Sequence, residues 1–183
     1  MDTLKGSHAF EIVGMSKGAQ LVLAASSRKK IGVFATEFTI NSGAHKAAIL
    51  AADDGADVYP QACPKFVPLI EGEQFDSAEV RAAVAEYAAP LKAAGIDTLI
   101  LSCTHYPFIQ KEIESEFGSE VTVIDPADAT AQDTKMVLAA EGLLRSEGAG
   151  TLEVCFTADV ERGARIAGRV LPQGKCLFKE IKL

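Results

Sequence analysis

The feature that most constrains this chain is an alternation of short apolar runs with segments of helix length. Ile31-Gly-Val-Phe-Ala35, Thr98-Leu-Ile-Leu101, Val121-Thr-Val-Ile124, Leu152-Glu-Val-Cys-Phe156 and Cys176–Leu183 read as strands. Helical patterns lie between them, over Lys17–Ser27, from Asn41 and Ser42 as caps to Ala52, from Asp76 to Ala94, over Pro107–Phe117, from Asp125-Pro126 to Arg145, and over Asp159–Val170. Strand–helix alternation at this spacing predicts an α/β fold built on a mainly parallel sheet. Asp57-Val-Tyr59 opens a further extended segment. The stretch Cys63–Glu71 after it carries Pro64 and Pro68, which argue against a central strand and predict a loop or edge. Glu79 closes a capping box if Asp76 is the cap, and Gly95 ends that helix.

At 183 residues the chain is long enough to bury a sizeable core. A net charge of −7 gives no basis for a nucleic-acid or anionic-membrane partner. No apolar run approaches a membrane span, and the first residues lack the layout of a signal peptide, so the expected location is cytoplasmic. The four cysteines, Cys63, Cys103, Cys155 and Cys176, are widely spaced, which predicts free thiols over a disulfide framework.

In open α/β sheets ligands bind just beyond the carboxyl ends of strands. The strand at Thr98 ends there in Ser102-Cys-Thr-His-Tyr-Pro107, with the proline suited to a first helical turn. A helix N-terminus and a neighbouring His105 both favour the thiolate of Cys103. Two readings of that pair stand: a reactive site, or a buried structural cysteine beside a hydrogen-bonded histidine. Cys63 and Cys176 read as structural. His45 reads as solvated at a polar helix start, and Glu112-Ile-Glu114-Ser-Glu116 as a solvated face. A metal site from Cys63, Cys103 and His105 lacks the close ligand pairs that zinc sites show.

Four blocks occur in order: Ile31-Gly-Val-Phe-Ala-Thr-Glu-Phe-Thr-Ile40, Cys63-Pro-Lys-Phe-Val-Pro-Leu-Ile-Glu71, Cys103-Thr-His-Tyr-Pro107 and Ile124-Asp-Pro-Ala127. Together they resemble glutamate racemase, of the cofactor-independent aspartate/glutamate racemase superfamily, from about Ile12 to the C-terminus. The resemblance implies two similar three-layer α/β domains, residues 16–124 forming one complete domain with Cys103. Residues 1–15 and 125–183 would be the remainder of a second domain. It implies interconversion of L- and D-glutamate without a cofactor, one cysteine removing the α-proton and a second returning a proton on the opposite face. D-glutamate then supplies peptidoglycan. Cys103 falls on the second base, His105 on the group that tunes it, and Glu71 near the active site. Thr104, Thr36 and Thr39 fall on substrate-holding positions.

The resemblance has gaps. The family's Asp-Ser-Gly and Cys-Asn-Thr blocks, which supply the first cysteine and much of the substrate recognition, are not in this sequence. None of Cys63, Cys155 and Cys176 sits in a matching context, so impaired racemisation is the expectation. Ser102 stands where the family usually has Gly, and Phe38, where Gly is common, would put bulk where the substrate lies. Two other classes remain open: a non-catalytic descendant used for binding or assembly, and a Cys/His hydrolase or transferase with Cys103 as nucleophile. The second would need a third, orienting group that the sequence does not identify. A second domain without its opening strands would leave apolar faces and a sheet edge uncovered, which predicts a homodimer or other self-association.

Overall fold

The computed structural model describes residue 8 and residues 10–148, 150–171 and 176–182. It divides into two compact units, Met1–Leu143 and Leu144–Leu183.

The first unit is an α/β layered structure on a four-stranded, wholly parallel sheet. Its strands are β1 (Lys30–Ala35), β2 (Asp57–Ala62), β3 (Thr98–Leu101) and β4 (Thr122–Ile124), in the order β2-β1-β3-β4. Period-two alternation sends the side chains of β1 to both faces, and both are covered. Ile31, Val33 and Ala35 join Ile100 in a core with Val22 of α1 (Ala19–Ala25) and Ile49 of α3 (Ala44–Ala52). On the other face Phe34 lies 5.8 Å from Phe66 of α4 (Phe66–Glu71) and 5.9 Å from Phe117 of α6 (Gln110–Phe117), ring centre to ring centre. Full burial of Phe34 and Phe66 contributes about 1.5–3 kcal/mol each. The helix α5 (Ala78–Ala94) lies on this second face and ends at Gly95, whose φ of 71° is the left-handed cap that glycine adopts without strain. At the start of α1 the conformation is also left-handed, at Gly18 with φ 62°, and a Cβ there would run into Ile100 Cδ1. That absence of a side chain lets the segment before α1 close on the end of β3.

Some local expectations fail for identifiable reasons. Asn41 and Ser42 do not cap a helix; they close α2 (Glu37–Ser42), whose cap is Thr36, accepting from the Thr39 N–H. Ser77, not Asp76, caps α5, its Oγ 3.1 Å from the Val80 N–H. Residues 66–71, expected as loop or edge, form the helix α4. Pro68 sits in its first turn, where backbone N–H groups have no helical partner to lose. The helix expected to reach Arg145 is α7 (Ala127–Ala140) and ends sooner. Leu183, expected at the end of the final strand, lies outside the described residues.

The second unit is a β-α-β arrangement of β5 (Leu152–Phe156), α8 (Val160–Ala167) and β6 (Cys176–Glu180). The two strands pair in parallel, Leu152 level with Cys176 and Phe156 with Glu180. The rings of Phe156 and Phe178 stack 6.3 Å apart.

Candidate active site

A parallel sheet delivers all its carboxyl ends to one edge. Phe34 is level with Leu101, so Thr36 after β1 and Ser102-Cys103 after β3 emerge side by side, with Cys63 following β2 and Pro126 following β4. The ladder continues past the strand ends: the Ser102 N–H donates to the Phe34 carbonyl (2.8 Å) and the Cys63 N–H to the Ala35 carbonyl (2.9 Å). Beyond Cys103 a tight 3-10 turn, Tyr106–Ile109, leads into α6. Tyr106 is fully buried, its ring 5.1 Å from and perpendicular to Phe66, its hydroxyl donating to the Cys63 carbonyl at 3.4 Å. This anchor fixes the loop that carries the cysteine and histidine. The sequence motif contains Tyr106 but gives it no role.

Three of the expected site residues meet. His105 Nε2 lies 2.8 Å from Glu71 Oε1, and His105 Nδ1 lies 4.0 Å from Cys103 Sγ. An ionised carboxylate only accepts, so Nε2 carries the proton donated to Glu71 and Nδ1 presents its lone pair toward the thiol. Glu71 thus orients the imidazole from the end of α4, the segment expected to be irregular. The helix N-terminus and His105, expected to favour the Cys103 thiolate, are set against burial. Burial pushes its pKa up, and the backbone N–H groups of His105 and Tyr106 oppose that push without cancelling it. The cysteine leads into a short 3-10 turn, not the aligned first turn of an α-helix, which leaves little dipole to offset desolvation. The resting group is the thiol.

Cys103 opens into a cleft of about 120 Å³ whose lining includes Lys17, His45, Ser102, Thr104 and Pro126. Thr104 therefore stands beside Cys103 as expected. Thr36 and Thr39 are brought together, their hydroxyl oxygens 3.1 Å apart at the start of α2, but they do not line this cleft. Phe38, expected as bulk near the substrate, is 86% exposed on α2. His45, expected to be solvated, is half-buried in the cleft wall with Nδ1 3.2 Å from Ser102 Oγ. Burial lowers its pKa; a hydrogen bond to the Lys17 backbone opposes this and the Lys17 ammonium adds to it. Cys63 is 1% exposed, and desolvation pushes its thiol far up, consistent with a structural role. Among the described residues no group of three or more His, Cys, Asp and Glu side chains is placed to hold a metal ion.

The family profile described as Asp/Glu/Hydantoin racemase matches residues 6–134. The chain belongs to that family. Members of the racemase family with similar sequences include the glutamate racemase of Lysinibacillus sphaericus, 36% identical over 185 residues, covering 100% of this chain and 70% of the relative. The glutamate racemase of Lactiplantibacillus plantarum is 42% identical over 139 residues, covering 75% of this chain and 51% of the relative. The chain thus spans between half and about two thirds of the length of these two relatives. Among solved structures, a glutamate racemase isoform from Bacillus anthracis superposes with a TM-score of 0.87 at 30% identity, over 100% of this chain and 68% of that one. The Francisella tularensis glutamate racemase, solved in complex with D-glutamate, superposes at 0.77 with 25% identity, over 92% of this chain and 62% of that one. Racemase family and α/β fold are settled together. Among the described residues no helix is long and apolar enough to cross a membrane.

Proposed function

We propose that this chain acts on glutamate by cofactor-independent proton transfer at the α-carbon, with Cys103 as the group that exchanges the proton. The observation that carries the reading is the Cys103–His105–Glu71 series, set at the carboxyl edge of a racemase-family sheet. An amino acid's α-proton is weakly acidic, so its removal needs a base that is positioned and held away from water. A neutral thiol is not that base. His105 Nδ1 takes the thiol proton, Glu71 stabilises the resulting imidazolium, and the thiolate removes the α-proton to leave a carbanion. Reversal returns a proton to the same face. Thr104 beside Cys103, and Thr36 with Thr39 at the adjacent strand end, supply hydroxyls for the substrate carboxylates.

Inversion requires a second proton donor on the opposite face. We propose that full racemisation by this chain is impaired because the family's first-cysteine block is not in this sequence; Cys103 is the one cysteine lining the cleft among the described residues. We further propose that residues 16–124 make one complete racemase-type domain, with 1–15 and 125–183 belonging to a second. The product D-glutamate serves peptidoglycan synthesis, and the chain works in the cytoplasm as a homodimer or other self-associated form.

The test is incubation with L- and D-glutamate separately in D₂O, following α-deuteration by NMR and inversion by optical rotation. The expected result is Cys103-dependent deuteration with slow or no inversion, abolished in Cys103→Ala. Absence of deuteration above buffer by folded protein overturns the reading. A thiol hydrolase is favoured by one observation, since Glu71 supplies the orienting group that class requires. An acyl adduct on Cys103 after exposure to a p-nitrophenyl ester, with no α-deuteration, would move the assignment there.

A further inference from the structure

His45, near the start of α3, joins three separate segments of the chain. Its Nδ1 lies 3.2 Å from Ser102 Oγ, and the Lys17 backbone bears on the ring by favouring its protonated form. The Ser102 hydroxyl donates to Nδ1 when the other ring nitrogen carries the imidazole proton. Ser102 is a firm anchor because its own N–H is bonded to the Phe34 carbonyl of β1. Lys17, too, is held, since the neighbouring Ser16 N–H donates to Thr130 Oγ1 at 3.0 Å. Lys17, His45 and Ser102 all line the cleft that holds Cys103, and proton transfer through Cys103, His105 and Glu71 uses neither His45 nor Ser102.

We propose that His45 is a positioning residue which, through Ser102, closes the wall of the Cys103 cleft and keeps water from the thiol. This deepens the racemase reading and rests on it. A closed wall strengthens the electrostatics between the thiol, His105 and a developing carbanion, because water no longer screens them. The charged group facing His45 is the Lys17 ammonium, which disfavours a second cation beside it. Around the thiol the titratable groups are His105, Tyr106 and Cys63. At neutral pH the strut is therefore uncharged.

The test is the rate of alkylation by iodoacetamide between pH 7 and 10 in the full chain, measured for each cysteine by peptide mass spectrometry. Cys63, buried in the core, reports any general loosening. In His45→Ala and in Ser102→Ala the cleft hydrates, so Cys103 reacts about five- to tenfold faster and its profile shifts to lower pH, a tenfold change corresponding to one pKa unit. Cys63 stays protected in both. His45→Gln, whose amide can donate at one end and accept at the other, restores a rate within about twofold of the parent. The double variant shows no more than either single one, as expected for two halves of one contact. Unchanged Cys103 rates in both alanine variants overturn the proposal, and so does Cys63 opening in step with Cys103, which would make His45 a residue of general stability. No glutamate is involved, so loss of α-deuteration and loss of this strut are separate outcomes.

Discussion

Cys103 carries a conflict that its chemistry exploits. Burial holds it as a thiol, while proton abstraction needs the thiolate, and the difference is met by His105 oriented by Glu71. The α-deuteration rate should therefore rise with pH through the alkaline range, later than the ionisation of an unperturbed cysteine in an unfolded peptide, because burial pushes the folded thiol up. Glu71→Gln leaves the fold intact and slows exchange, by about tenfold or more, since the imidazolium loses its counter-charge; His105→Ala loses about a hundredfold, the usual share of a general base. An exchange rate in Glu71→Gln equal to the parent's would show that Glu71 only decorates the surface. The Cys103–His105 pair is legible in the sequence because the two lie two residues apart in one motif. Glu71 is legible only through the family's block order. His45 escapes a sequence reading because its partners, Lys17 and Ser102, lie on other elements, and helical periodicity says nothing of a group that crosses over from a neighbouring strand.

Among the elements, β3 is the one the site depends on, and its entry is clamped as firmly as its exit. Asp97, 8% exposed, accepts from Ser26 Oγ (2.5 Å), Ser27 Oγ (3.1 Å) and the Arg28 N–H (2.7 Å), tying the loop after α1 to the start of the strand. Burial pushes the Asp97 pKa up, but these donors outweigh it and hold it below the ordinary carboxylate value. A folded pKa below the unfolded one contributes stability above the unfolded value, and that contribution is lost as pH falls through the folded value. Asp97→Asn keeps the shape and can hold its oxygen toward the Arg28 N–H with its NH₂ toward Ser26 Oγ, but it loses the charge that strengthens these bonds, so it costs about 1.5–3 kcal/mol at pH 7. In urea titrations the gap between parent and variant should narrow below pH 4; a gap constant from pH 7 to pH 3 would refute the charge-based account. Most strand and helix identities at this scale are readable from the sequence, because apolar runs and Ala-rich periods are strong signals. The helix α4 is not, because Pro68 weighs against a strand there, while a proline in a first helical turn costs nothing. The caps fall at Thr36 and Ser77 in place of equally good neighbours, which propensity alone does not rank.

For the whole molecule, the core is unevenly distributed. The strands β1 and β3 are sealed on both faces, whereas α7 has no buried residue along its 14 positions and α8 has none either. Met136 is 63% exposed and Leu143 67%; Leu152 and Leu177, on a two-stranded parallel pair, are exposed at 41% and 66%. A helix gains most of its stability from tertiary packing, parallel sheets are ordinarily covered on both faces, and a two-stranded pair is marginal alone in water. A second copy laid against these exposed faces would cover them, which is the ground on which self-association is proposed. Self-association proposed on these grounds makes a joint prediction for sedimentation and hydrogen exchange. Sedimentation velocity from about 1 to 100 μM should show the average mass rising with concentration. Over the same range amides of α7, β5 and β6 should gain protection while those of β1 and β3, already slow, change little, since local opening follows the density of buried contacts. Mass and protection must rise together, because the faces covered on association are those that carry these amides. A monomer at every concentration, with β5 amides as protected as those of β3, would mean that these exposed faces are stable uncovered.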